Sequence, residues 1–267
     1  MLQHSLVRRA APLLAGFLLL AAGAAHAADI RVVSSGGFAQ AYKNLAPAYE
    51  RASGDHLVSE WGPSMGTTRN AIPARLARGE PIDVVIMVGD ALDKLMQEGR
   101  LVAGSKVVLA NSPIACAVRR GAAQPDISTT EGLRSAFLQA HKVAYSDSAS
   151  GEYIEKQLMQ TLRIEEEMRG KAAKIPATPV GDIIARGEAD FGCQQRSELM
   201  PVEGIAIVGL LPPAVQRMTQ FSAALVPGGK QPEAGRALLR FLAAPANAGA
   251  IEATGLEAAA APMPIAQ

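Results

Sequence analysis

Three clusters of small polar residues along the chain have the composition of anion sites: Ser34-Ser35-Gly36-Gly37, Ser64-Met65-Gly66-Thr67-Thr68 and Ser146-Asp147-Ser148-Ala149-Ser150-Gly151. Each follows a predicted strand and opens a helical pattern. The first amides of a helix have no partner within it, the helix dipole is positive there, and glycine lets a ligand approach the backbone. One such turn is an ordinary helix cap. Several at the carboxyl edge of one open sheet gather where ligands bind. The second cluster also completes Gly62-Pro63-Ser64-Met65-Gly66, which matches the G-x-S-x-G elbow of serine hydrolases. A hydrolase built on Ser64 needs a downstream histidine, and only His141 qualifies, ahead of a strand rather than behind the last one. The elbow also comes early in the chain for that fold, so the hydrolase is the weaker reading.

Other chemistries find little support. Past the N-terminal segment only His56 and His141 remain, without metal-ligand spacing, and neither a phosphate-loop lysine motif nor G-x-G-x-x-G occurs. The expectation is no metal and no cofactor. Aromatic residues are 4% of the chain, too few for the stacking platforms of a sugar binder. An anion held by hydroxyls and amides fits better.

Positioning these turns requires alternating strands and helices. Strands are predicted at 30–34, 56–61, 82–87, 107–109, 114–118, 143–145, 190–194, 205–208 and 220–226, with helices at 38–52, 130–139, 151–162, 182–187, 232–243 and 246–253. Helices also follow the strands at 56–61 and 82–87, the first of them delayed to Pro73 by the restriction proline places on the preceding residue. A polar stretch, 163–174, separates two of these units, and the Ala-rich C-terminus reads as a frayed tail. The alternation predicts an α/β protein with parallel βα units.

The first residues read as an export signal: Arg8 and Arg9, an apolar run from Ala10 to Ala22, and an A-x-A site at Ala25-His26-Ala27 that leaves Ala28 first in the mature chain. No cysteine follows the run to take a lipid, and no later stretch is long enough to span a membrane. A free periplasmic protein is expected, with no nucleic-acid partner, because loss of the two arginines brings the formal balance from +1 to about −1. Cys116 and Cys193 both lie in apolar segments. They read either as buried small hydrophobes or as a disulfide that the oxidising compartment allows.

At these turns the chain resembles the periplasmic molybdate-binding proteins and their relatives among type II substrate-binding proteins of ABC transporters. The likeness rests on the first Ser/Gly turn, Gly79-Glu80-Pro81-Ile82-Asp83-Val84-Val85-Ile86, Ser150-Gly151-Glu152-Tyr153, Arg186-Gly187-Glu188-Ala189-Asp190-Phe191-Gly192 and Phe241-Leu242-Ala243-Ala244-Pro245. It implies two doubly wound α/β lobes, 28–112 with 222–267 and 113–221, joined by two crossing strands near 110–116 and 219–225. It further implies a monomer that closes on a small anion and delivers it to an ABC membrane permease, with no covalent step.

The family's oxyanion donors map here onto Ser34, Ser35, Gly36 and Gly37, onto Ser64, Met65, Gly66 and Thr67, and onto Ser148, Ala149, Ser150 and Gly151. The match departs at Gly37, which falls where the family has serine, and at Gln194 or Gln195, where it has tyrosine. The segment from Ser64 to Gly79 is also longer and brings Arg69 toward the cleft. A tetrahedral metal oxyanion needs only neutral donors, whereas arginine and amide side chains suit a carboxylate. The resemblance makes a molybdate-like oxyanion the main expectation and these departures make a small di- or tricarboxylate the alternative, with Trp61, Phe38 and Tyr145 as candidate walls.

Overall fold

A computed structural model describes residues 27–259. The export-signal reading falls on residues 1–27, which apart from Ala27 lie outside the described residues. In chain order the strands are β1 (Asp29–Ser34), β2 (His56–Trp61), β3 (Val84–Val88), β4 (Val107–Ser112), β5 (Ile114–Arg119), β6 (Val143–Ser146), β7 (Ala172–Ile175), β8 (Phe191–Gln195), β9 (Ile205–Leu210), β10 (Thr219–Leu225) and β11 (Glu257–Ala258). The α-helices are α1 (Gly36–Ser53), α2 (Ile72–Ala77), α3 (Gly89–Gln97), α4 (Thr130–Gln139), α5 (Ala149–Tyr153), α6 (Met159–Thr161), α7 (Glu165–Met168), α8 (Val180–Ala185), α9 (Arg196–Leu199), α10 (Pro232–Leu242) and α11 (Ala248–Glu252).

The strands form two mixed sheets, ordered β11-β4-β10-β3-β1-β2 and β7-β6-β8-β5-β9. In the first, β1 pairs in parallel with β2 and β3, and β10 runs antiparallel between β3 and β4. In the second, β6 pairs in parallel with β7 and β8, and β5 runs antiparallel to β8 and β9. The chain leaves the first sheet at Pro113 and returns after Leu210, so two segments connect the α/β lobes.

Burial explains why these runs form these elements. Every residue of β3 is buried, as expected of a strand covered on both faces. Apolar clusters flank both sides of each sheet, one around Ile30, Phe38 and Val84, another around Val85, Met87 and Leu92, and corresponding pairs in the second sheet. Helix α1 buries Phe38, Ala41, Tyr42, Leu45 and Tyr49 at helical spacing and stops at Gly54, whose left-handed φ of 79° lets its N–H donate to Glu50 O.

Three local readings are corrected. The polar 163–174 stretch contains α7 and runs into β7, an edge strand whose burial is shallow and whose register comes from parallel pairing with β6. The predicted helix 151–162 begins at Ala149 and carries a π turn over Ile154–Leu158. Within the supposed frayed tail, Glu257–Ala258 pair with β4, and residues from 260 on lie outside the described residues. The cysteines, left open between two readings, are disulfide-bonded: they face each other in the β5–β8 register with their Cα atoms 4.0 Å apart. Among the described residues no helix is long and apolar enough to cross a membrane.

Candidate functional site

The carboxyl ends of β1, β6 and β8 meet around one cleft of about 210 Å3, well below the roughly 300–1,000 Å3 of sites for drug-sized ligands. From the first sheet it is lined by Ser35, Gly36 and Gly37 at the start of α1, by Trp61, Gly62, Pro63 and Asn70, and by Val88. The second sheet contributes Ser146 to Ala149, Ala177 to Pro179, Gln194, Gln195 and Glu198. Asp147 and Glu198 are the ionisable side chains among these residues, and no lysine or arginine is present.

Seven of the residues expected from sequence come together here: Ser35, Gly36, Gly37, Ser148, Ala149, Gln194 and Gln195. Ser35 caps α1 by position, yet its hydroxyl makes no cap hydrogen bond and is buried without a partner. Gly36 and Gly37 are glycine for packing reasons. A Cβ on Gly36 would overlap the Glu198 carboxyl, and one on Gly37 would overlap the Phe221 ring. The family serine position at Gly37 thus has no room for a hydroxyl.

Other expected residues are committed elsewhere. Ser34 Oγ donates to Ser35 O at 3.1 Å, and Ser64 Oγ accepts from the Val88 N–H at 2.9 Å. Ser64 is therefore a buried strut, and no histidine lines the cleft to activate it; His141 lies just ahead of β6, at the opposite end of that strand. Ser150 Oγ pairs with Ser146 Oγ at 3.2 Å, and Gly151 packs so closely on Ser146 O that no Cβ fits. Met65 faces a neighbouring hollow, and Thr67 is exposed. Gly66, with φ of 89°, brings the second turn to Asp147 of the opposite lobe. Arg69 lies exposed in an outer hollow that shares Trp61 and Asn70 with the cleft. Of the candidate walls Trp61 lines the cleft, with Lys43 Nζ 4.8 Å from its ring centroid. Phe38 is core, and Tyr145 OH donates to Glu155.

Sequence reasoning missed Glu198 and the β7–α8 loop, and it gave Asp147, within the third cluster, no role of its own. Glu198 stands half-buried on α9 with its carboxyl packed on Gly36 at the positive end of α1. Desolvation lifts its pKa from the ordinary 4.5 to about 7; contact with the Gln194 amide lowers it, and the charge of Asp147 adds to the rise. A carboxyl poised there can take up and release a proton near neutrality. In the loop, Ala177 holds a left-handed φ of 56°, a conformation costly for a residue with a Cβ. The available signal for Glu198 was slight: one acid three residues after Gln195, a candidate ligand contact just past a predicted strand.

The lobes touch around this cleft. Ser197 Oγ donates to Gly37 O at 2.7 Å, and Gln195 Nε2 to Thr219 Oγ1 at 2.7 Å. Gln194 Oε1 accepts the Val180 N–H at 2.8 Å and so fixes the start of α8.

Two mixed-sheet α/β lobes closing on a small polar cleft define a substrate-binding protein of the type II periplasmic class. The chain belongs to the bacterial extracellular solute-binding protein family, whose model matches residues 30–257. It is 24% identical over 261 residues to the molybdate-binding protein ModA of Azotobacter vinelandii, covering 95% of this chain and 98% of that one. The solved periplasmic molybdate-binding protein of Azotobacter vinelandii superposes with a TM-score of 0.69 at 17% identity, over 85% of this chain and 98% of that one. A much nearer relative, 49% identical over 246 residues, is the aconitate isomerase of Pseudomonas sp., with 91% of this chain and 94% of that protein covered. That name belongs to an enzyme, and it overturns the expectation of capture without a covalent step. It also favours the organic-acid alternative over molybdate.

Proposed function

We propose that this protein closes on an unsaturated tricarboxylate of the aconitate type and shifts its double bond, with Glu198 as the acid–base group. The observation that carries this reading is the Glu198 carboxyl, raised to about pKa 7 inside a cleft of helix-start amides and hydroxyls. The near relative's name supplies the substrate class. Aconitate has a methylene flanked by a carboxylate and by a double bond that is itself conjugated to carboxylate, so its proton is acidic for a C–H. Glu198 as carboxylate removes that proton, and the electron pair spreads over the allylic unit into carboxylate oxygens. Glu198 then returns the proton to the far carbon of the allylic unit. The original double bond becomes single, a new one forms, and cis and trans isomers interconvert with no net proton consumed.

The remaining residues stabilise charge as it develops. Gly36, Gly37 and Ala149 line the cleft at helix starts, and in this reading their amides and the unpaired Ser35 hydroxyl serve as the preorganised donors. Lys43 and Arg69 add positive charge at the rim beside Trp61 and Asn70. The moving bodies are the two lobes, the one built on the first sheet taking in all of β10, so that its second segment begins at Thr219 rather than at the expected 222; the protein acts as a monomer in the periplasm, and ligand favours the closed form through contacts to both lobes.

A second reading, capture of the same acid for an ABC permease, is favoured by the fold itself. The deciding experiment follows cis- and trans-aconitate with purified protein by proton NMR in deuterium oxide. Interconversion is expected, with deuterium entering the methylene to the extent that the proton on Glu198 exchanges with solvent before it is returned. Calorimetric binding of aconitate without either change leaves capture alone, and tight molybdate binding with no response to aconitate defeats both organic-acid readings.

A further inference from the structure

Two residues that line the cleft, Ser35 and Gln195, each carry a buried side-chain oxygen without a partner, and the two oxygens differ in what they can accept. Ser35 Oγ can turn its proton either way, so it serves a ligand donor or acceptor alike. Gln195 Oε1 can only accept. Gln195 is 3% exposed, and its amide nitrogen is engaged by Thr219 Oγ1 at 2.7 Å. Thr219 starts β10 of the first sheet and Gln195 ends β8 of the second, so bringing the lobes together sets the amide's direction. A buried acceptor held in place without a donor is a demand on the ligand, because leaving it unmet costs more than a typical hydrogen bond returns.

We infer that Gln195 reads a hydroxyl on the ligand, so that the cleft also takes saturated, hydroxylated tricarboxylates as tight ligands that it does not turn over. This rests on the tricarboxylate reading above. A polycarboxylate with a hydroxyl on its central carbon offers carboxylates to the helix starts and Ser35 and a donor to Gln195 Oε1. It has no double bond to shift, so it occupies the site as a competitive ligand. With the amide turned over, Thr219 would donate to Oε1 and Nε2 would take the unpartnered position, and a ligand hydroxyl would then bring no advantage.

The test compares citrate with tricarballylate, its counterpart without the hydroxyl, by calorimetry on the mature protein and as inhibitors of aconitate turnover. Citrate is expected to bind about tenfold tighter, the worth of one well-placed neutral hydrogen bond. Gln195→Leu should erase that preference by weakening citrate, with the affinity for tricarballylate held within about threefold. Thr219→Val, which releases the amide, should reduce the preference and covers the case in which the leucine variant does not fold. Equal or tighter binding of tricarballylate to the unaltered protein, or a preference that survives Gln195→Leu, overturns the inference while leaving the isomerase reading intact. If citrate, tricarballylate and aconitate all fail to bind, the tricarboxylate reading falls and this inference with it.

Discussion

Replacing Glu198 with glutamine should remove activity and raise stability together, a pairing that a merely structural glutamate would not produce. The folded-state pKa is about 7 against an ordinary 4.5, so between those values the folded protein holds a proton that the unfolded chain releases. Stability from this group is therefore complete below the unfolded value and is lost as pH rises through about 7. The loss is at most about 3 kcal/mol, because a tenfold change in proton affinity corresponds to about 1.4 kcal/mol and the exposed side of the residue lets solvent screen part of it. Glutamine keeps the shape without the charge. At about pH 8 the variant should melt several degrees above the parent, at roughly 2–4 °C per kcal/mol for a chain of this size, and near pH 4 the two should coincide. Turnover of aconitate should fall about 10²- to 10⁴-fold, the usual worth of a positioned acid–base group, while ligand affinity survives. In the parent, kcat/KM should drop about tenfold per pH unit below the Glu198 pKa. Thermal melts across pH together with initial rates make the test. A variant that turns over at the parental rate, or a melting difference indifferent to pH, refutes the reasoning.

Ser35→Ala should weaken ligand binding about tenfold and leave stability unchanged or slightly higher, since the hydroxyl it removes is buried without a partner; calorimetry and urea melts report the two effects. Gly36→Ala places a Cβ where the Glu198 carboxyl sits, so kcat should fall and the acid limb of the pH profile should move, as steady-state kinetics would reveal. Losing the Cys116–Cys193 bond in a double alanine variant should lower stability by about 4 kcal/mol, from loop-closure entropy across a separation of 77 residues, measured by denaturant titration. Ala177→Gly should stabilise the fold by up to about 1 kcal/mol by relieving the left-handed backbone, read from the same titrations.

Local patterns sufficed for much of this molecule. Val84–Val88 is apolar throughout because both faces of its strand are covered, and Phe38, Ala41, Tyr42, Leu45 and Tyr49 recur at helical spacing because one face of α1 is buried. The start of α1 and the Ser148 turn were legible as candidate donor sites for the same reason: a strand end, small residues and a helix start are neighbours in the chain. What the tertiary structure decided is which donors remain free. Ser64 and Ser150 have the same composition as Ser35, yet Val88 N–H and Ser146 Oγ claim them, and those partners are set by packing rather than by adjacent residues. Strand β7 shows the same limit, since its register comes from β6 and its own burial is shallow. Glu198 was illegible because a glutamate's proton affinity depends on what surrounds it. Only when the opposite lobe lays Gly36 against that carboxyl, with the charge of Asp147 nearby in its own lobe, does an ordinary acid become one that titrates near neutrality.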